Sequence, residues 1–423
     1  MDIQTKIDSY VSSFLEGKIS FNILLVSDST SRLSVLRGYN ALEQFRKLYS
    51  TMATVSLTSM TSDAFVKDNI DLSAFNVVWV DNVISRPFND SLSSKLDAMQ
   101  ASLLDGVKCD DEAKANLYRS LHLRVVYSLD EFVWDAPAGR QVSVLAAKTV
   151  EDAMIIADEV VVPNSEFAGA LKDIKLVDAD KDILIIPTFV NDMFYPLYRD
   201  NHKSGNYTTS IRRPKILVKG VTIPRNVQQF ILDNCKDYDI TISSVGELIN
   251  PIYKLLQDKT VKNIIHWANP AVNAKNFASN LATERDACFD FVMTTCPDDV
   301  ASNPYEVTMT DTDSVLAVAE GAVAIAGVAD ADYDPSNHIC VASGLTFGNK
   351  TTPKELKALI ERWRICINWD EAFDKQKGLL KSRIMGSSQE IMGGMFHVML
   401  GKTLSNAFGN RLNKEIADKK AKK

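Results

Sequence analysis

The chain has 423 residues, a formal charge of −7, 46% hydrophobic and 24% charged residues. That composition is ordinary for a globular protein and excludes a disordered, collagenous or disulfide-rich class. No apolar run is long enough to cross a bilayer, and residues 1–20 lack the basic start and apolar block of a signal peptide, which predicts a cytoplasmic protein without membrane insertion. Six cysteines, Cys109, Cys235, Cys288, Cys296, Cys340 and Cys366, form no CxxC pair, so they read as small buried thiols rather than a zinc or redox site. Charge is uneven. Residues 351–423 hold 15 Lys/Arg and 8 Asp/Glu, a net of +7, and leave −14 on residues 1–350. The basic end, closing on KKAKK, suits nucleic acid or an acidic surface, or is a solvated helix with a frayed tail.

In chain order, residues 2–16 set Ile3, Ile7, Tyr10, Val11 and Phe14 on one helical face. FNILLVSD (21–28) is an apolar strand ending in a polar loop, and 37–48 is helical. Further strands are predicted at 53–57, 76–82, 123–131, 158–165 and 182–189, with helical patterns between most of them. This alternation argues a parallel α/β sheet covered on both faces. Residues 198–214 are polar with Gly and Pro and read as a linker. Strands then recur at 213–220, 239–244, 262–267, 289–296 and 322–327, with a short one at HICVASG (338–344). Between the first two of these, 226–235 is helical, and from Pro353 onward the chain reads as helices.

Ligands of open parallel sheets lie beyond the carboxyl ends of the strands. After the first strand stand Asp28, Ser29, Thr30 and Ser31, with Arg37 opening the next helix. Such a loop either hydrogen-bonds a substrate or caps a helix. After the third α/β strand come Asp130, Glu131 and Asp135, which suit a divalent metal, a general base or a solvated loop. Neither GxGxxG nor GxxxxGK[ST] occurs, which disfavours an ordinary dinucleotide or P-loop role. DTDSVLAVAEG (311–321) is a short apolar helix whose front carries acids where a phosphate would suit the helix dipole. Glu320, in its last turn, opposes that dipole, and either pairs with a lysine or faces a cleft.

The motif order resembles the GT-B glycosyltransferases, within them the large retaining group, and is similar to divergent copies found in phage genomes. The resemblance is carried by Leu36–Arg37, VVYSLDEFVWDAP (125–137), ADEVVVPNSEFAGAL (157–171), IIPTFVNDMFYP (185–196), RPKILVKGVTIPRN (213–226), IIHWANPAVNAKNFASNL (264–281), FVMTTCPDD (291–299), DSVLAVAEGAVAIAG (313–327) and HICVASGLTFGNKTTPKELKALIERW (338–363). It spans roughly residues 22–380. It implies two Rossmann-like domains facing across a cleft: an acceptor domain at 1–205, a nucleotide-sugar donor domain at 213–380, and C-terminal helices at 381–423 returning towards the first domain.

The activity implied is transfer of a sugar from a nucleotide sugar, a UDP-sugar in the first place, with no metal. Donor-binding residues would be Lys219, Gly220, Arg225, Thr312, Asp313, Ser314 and Glu320, although Lys219 and Arg225 also read as a surface pair around a turn. The acceptor would meet Asp28, Ser29, Thr30, Arg37 and Glu131, with Asp130 as catalytic base. If the chain is phage-encoded, it would work in the host cytoplasm, and the acceptor could be a hydroxymethylated base in DNA. This sequence departs from the family pattern at four places. Leu316 replaces the Glu five residues before Gly321, Asp313 replaces a Lys, Ser128 replaces an Asp, and Thr188 replaces an Asn. Those departures favour an alternative: a GT-B fold kept as a catalytically inactive binding or structural protein, such as a virion or assembly component.

Overall fold

The computed structural model describes residues 1–17, 21–28, 35–49, 54–68, 70–130, 144–173, 183–190, 213–220, 222–244, 248–258, 260–267, 279, 283–284, 287–295, 311–327, 339–348, 350–364, 366–383 and 389–421. Two sheets result from two sets of short β-branched runs. The first contains β1 (Phe21–Ser27), β2 (Val55–Met60), β3 (Val77–Asp81), β4 (Arg124–Ser128), β5 (Glu159–Val162) and β6 (Ile183–Ile185). Every pairing is parallel, in the order β2-β1-β3-β4-β5-β6. Central strands bury both faces, with Ile23, Leu24, Leu25 and Val26 all at most 3% exposed. That explains their unbroken apolar sequence.

Parallel strands need crossovers, and helices supply them. Among the described residues, α1 (Ile3–Leu15), α2 (Ala41–Tyr49), α3 (Ser62–Lys67), α4 (Arg86–Leu103), α5 (Glu112–His122), α6 (Val144–Ile156) and α7 (Ser165–Asp173) belong to this half. Several starts are set by local chemistry. Asp2, Thr61, Ser85 and Asp111 each cap a free N–H of the first turn of α1, α3, α4 and α5. Before α2, residues Leu36–Asn40 form a π-helical turn that buries Arg37.

The second sheet contains β7 (Lys215–Gly220), β8 (Asp239–Ser244), β9 (Ile264–His266), β10 (Phe291–Thr294), β11 (Val323–Gly327) and β12 (Thr346–Phe347), ordered β12-β11-β10-β7-β8-β9. Its helices are α8 (Arg225–Asn234), α9 (Asn250–Gln257), α10 (Thr312–Ala319), α11 (Ile339–Ser343), α12 (Pro353–Arg364) and α13 (Cys366–Lys381). The strand expected at HICVASG is instead α11, and the strand begins after Gly344, whose φ of 74° ends the helix. Asp311 overrides the apolar run there: its Oδ2 accepts the Ile339 N–H at 3.0 Å at the helix start.

A last helix, α14 (Gln389–Ala421), breaks at Gly401 (φ 69°, ψ 166°). A Cβ there would lie 2.6 Å from an Arg124 guanidinium nitrogen, so the break needs glycine. Arg124 pairs with Glu159 and donates to the Val398 carbonyl at 2.8 Å. Ile391, Met395, Val398, Met399, Leu400 and Leu404 join the cluster formed by Ile3, Ile7 and one face of the first sheet. The chain end thus packs on the first sheet. The thiols are less uniform than expected: Cys340 is buried, but Cys109, Cys235 and Cys288 are half-exposed. Cys296 and the Cys366 side chain lie outside the described residues.

His122 ends α5 half-buried, its ring 4.3 Å from Tyr10 and 4.8 Å from Tyr118. Burial, then the nearby Lys6 charge, holds its pKa below the ordinary 6.5. Below that pH the unfolded chain takes a proton that the folded chain refuses, so stability is fully present above about 6.5 and falls as pH drops towards the folded value. His122→Gln is expected to flatten the decrease in melting temperature between pH 7.5 and 5.5. An unchanged slope would show that this ring does not carry it.

Candidate functional site

Each sheet reverses its winding once, and those points lie between β1 and β3 and between β7 and β10. Crevices at such points are where α/β sheets hold ligands. At the second, Lys219 near the end of β7 pairs in register with Thr294 at the end of β10. The Lys219 side chain is 6% exposed. Its amine lies 2.7 Å from Asp313 Oδ1 and 3.5 Å from Glu284 Oε1. Asp313 belongs to the first turn of α10 and is 40% exposed; Glu284 is 7% exposed. Thr294 and Ser314 bring their hydroxyls within 3.4 Å. The site therefore joins one buried cation, two carboxylates and two hydroxyls where two strands diverge.

Gly220 follows for a steric reason. A Cβ on it would stand 2.0 Å from Thr295 Oγ1, and that hydroxyl donates to the Thr222 carbonyl at 2.7 Å. The glycine thus makes room for a side chain that closes the turn after β7. A ligand is not needed to explain it.

The front of α10 also meets the first sheet. Thr188 and Thr312 hydroxyls are 3.0 Å apart, and Arg383 donates to the Thr188 carbonyl at 3.1 Å and to Asp311 Oδ2 at 3.2 Å. The Val190 N–H in turn donates to the Arg383 carbonyl at 2.9 Å. Asp311 stands at the helix start without capping it. Its carboxylate belongs to the inter-domain contact, so of the two acids expected at the helix front only Asp313 faces Lys219.

The residues expected on the acceptor side lie beyond the strand ends of the first sheet. Asp130 and Arg37 form an ion pair whose side chains are 1% and 3% exposed, and Arg37 also donates to the Ile186 carbonyl. Both were expected to meet an acceptor, Asp130 as base. In this structure they link the ends of β4 and β6 to the π-helical turn. Asp28 accepts the N–H and hydroxyl of Ser62 at the start of α3. Ser29, Thr30 and Glu131 lie outside the described residues. Asp81, which closes the apolar run NVVWVD, is fully buried at the end of β3, accepts from Ser27 Oγ at 3.0 Å, and faces Gly38, where a Cβ would come within 3.1 Å of Asp81 Oδ2.

The remaining donor-side residues are spread out. Thr312 and Ser314 lie beside Asp313 on α10, and both are buried. Arg225 is exposed at the first position of α8. Glu320 is the residue after α10, where Gly321 (φ 93°) reverses the chain. An eight-residue helix is about 12 Å long, so Glu320 does not join the Lys219 cluster. Leu316, where the related pattern has Glu, is 1% exposed in the core. Among the described residues no group of His, Cys, Asp or Glu is placed to hold a metal ion, and no helix is long and apolar enough to cross a membrane.

Two Rossmann-like parallel sheets, in contact through Thr188 beyond the edge strand β6, Arg383, and Asp311 and Thr312 at the front of α10, have the layout of a GT-B fold. No protein-family model matches the chain, and no curated protein matches it. Solved structures do. A sucrose-phosphate synthase from Thermosynechococcus elongatus is similar at 11% identity and TM-score 0.47, over 94% of this chain and 100% of that one. The Anabaena HepE protein, solved with UDP and glucose, is similar at 13% identity and TM-score 0.49, over 88% and 98%. A UDP-forming α,α-trehalose-phosphate synthase from Burkholderia vietnamiensis is similar at 8% identity and TM-score 0.45, over 94% and 99%.

Proposed function

We propose that this chain is a glycosyltransferase that takes a sugar from a nucleotide-sugar donor. The observation that carries the reading is the second switch point, where Lys219, Thr294, Ser314 and Thr312 gather at the strand ends beside the contact with the first sheet. A buried cation with hydroxyl donors is the chemistry that stabilises a leaving diphosphate without a metal. The ordered motifs from Leu36–Arg37 to the 338–363 segment support the same reading. Domain limits of 1–205 for the acceptor half and 213–380 for the donor half belong to this proposal, with Arg225 at the rim of the donor side. A UDP-sugar is the first donor to try. The basic segment 351–423 makes DNA with hydroxymethylated bases one acceptor to include, beside saccharides and proteins.

A second reading, a binding protein without transfer activity, is favoured by one observation: the Lys219 charge is already met by two carboxylates. A thermal-shift screen with UDP-, GDP- and ADP-sugars separates the two. A donor with Kd near 100 μM raises stability by about 1.4 kcal/mol at 1 mM. The expected result is stabilisation by one donor class and release of its nucleoside diphosphate with an acceptor. No shift with any donor, and no diphosphate released, leaves the binding protein.

A further inference from the structure

Lys219 sits in an arrangement that a structural ion pair does not require. One carboxylate, Glu284, is itself buried beside it at 3.5 Å and would suffice as its fixed partner. The second, Asp313, is closer at 2.7 Å and yet 40% exposed. Two acids on one lysine leave the group with a net negative charge, at a place lined by the Thr294 and Ser314 hydroxyls. These donors suit an oxyanion, and the Asp313 carboxylate is the oxyanion now in reach of Lys219.

We infer that Asp313 is an internal stand-in for the anionic group of the ligand, holding Lys219 until a phosphate-bearing ligand displaces it. The inference rests on the donor-site reading above. Asp313 has the freedom to do this because its side chain reaches solvent on the first turn of α10, while Glu284 and Lys219 do not. With Asp313 turned out, Lys219 and Glu284 cancel, and the phosphate meets the amine and hydroxyls with one repulsive charge fewer. The exchange is of one ion-pair partner for another and breaks no covalent bond. It makes the resting site selective: a ligand with one weak negative charge cannot compete with a tethered carboxylate, whereas a diphosphate brings more charge to the same amine.

The test is calorimetric titration of UDP and, separately, inorganic pyrophosphate into the full-length protein, Asp313→Asn, and Asp313→Asn with Lys219→Met. The expected result is at least about tenfold tighter binding to Asp313→Asn, since one unit charge a few ångströms away is removed, with the gain lost in the double variant. Asp313→Ser, which keeps a side chain suited to a helix start, should show the same gain and guards against a folding defect in the first variant. Equal affinity for wild type and both single variants overturns the inference and leaves the nucleotide site standing. Pyrophosphate gaining affinity while UDP binds none of the proteins upholds the displacement and removes the nucleotide reading. No binding of either ligand to any variant overturns both.

Discussion

Arg37→Met should destabilise the protein by about 3–5 kcal/mol, the usual consequence of leaving one charge of a buried pair without its counter-ion. Asp130 would stay with its side chain 1% exposed, at the end of β4, where water cannot replace the guanidinium. The same change removes the donor to the Ile186 carbonyl, so the ends of β4 and β6 lose their link to the π-helical turn. Urea unfolding measures this directly. Asp130→Leu in the same chain should recover most of the loss, because an apolar pair of similar volume carries no desolvation cost. A loss below about 1 kcal/mol for Arg37→Met would show that Asp130 reaches solvent, and would restore it as a candidate base.

Gln376→Leu has the next largest expected effect, roughly 2–4 kcal/mol. Strand β11 needs a partner on its outer side, and β12 reaches only Ala326 and Gly327. Ahead of that pairing, Gln376 on α13 replaces a strand. Its Oε1 accepts the Ala324 N–H at 3.0 Å, and its Nε2 donates to the Ala324 carbonyl at 2.7 Å. The side chain is fully buried. Leucine fills the same space but leaves both backbone groups without bonds in the core, each costing about 1–2 kcal/mol, the lower part of the range for an unmet buried group. A urea midpoint unchanged by Gln376→Leu would mean that water reaches Ala324.

These two sites show where sequence reading ended. Gln376 lies in the helical pattern DEAFDKQKGLLK, but a lone glutamine among lysines carries no mark of a strand-like partner. The Arg37–Asp130 pair joins residues 93 positions apart, and each looked like a cleft residue because each follows an apolar strand. Polar residues at strand ends are either exposed or paired below the surface, and the sequence looks the same in both cases. HICVASG failed differently: its apolar run suits a strand or a short buried helix, and the Asp311 carboxylate 28 residues away settles which.

The sequence by itself determined the two parallel sheets. Fully buried strands must be continuously apolar, and crossovers must be helical, so both periods are written locally. It also determined that the 311–327 segment is a short apolar helix followed by a buried strand. Tertiary structure alone decided what the acids of that helix do. Asp311 became part of the inter-domain contact through Arg383, and Asp313 became the partner of Lys219. Charge pairing depends on which side chains the fold brings within a few ångströms and whether water stays between them, and neither is encoded in spacing along the chain.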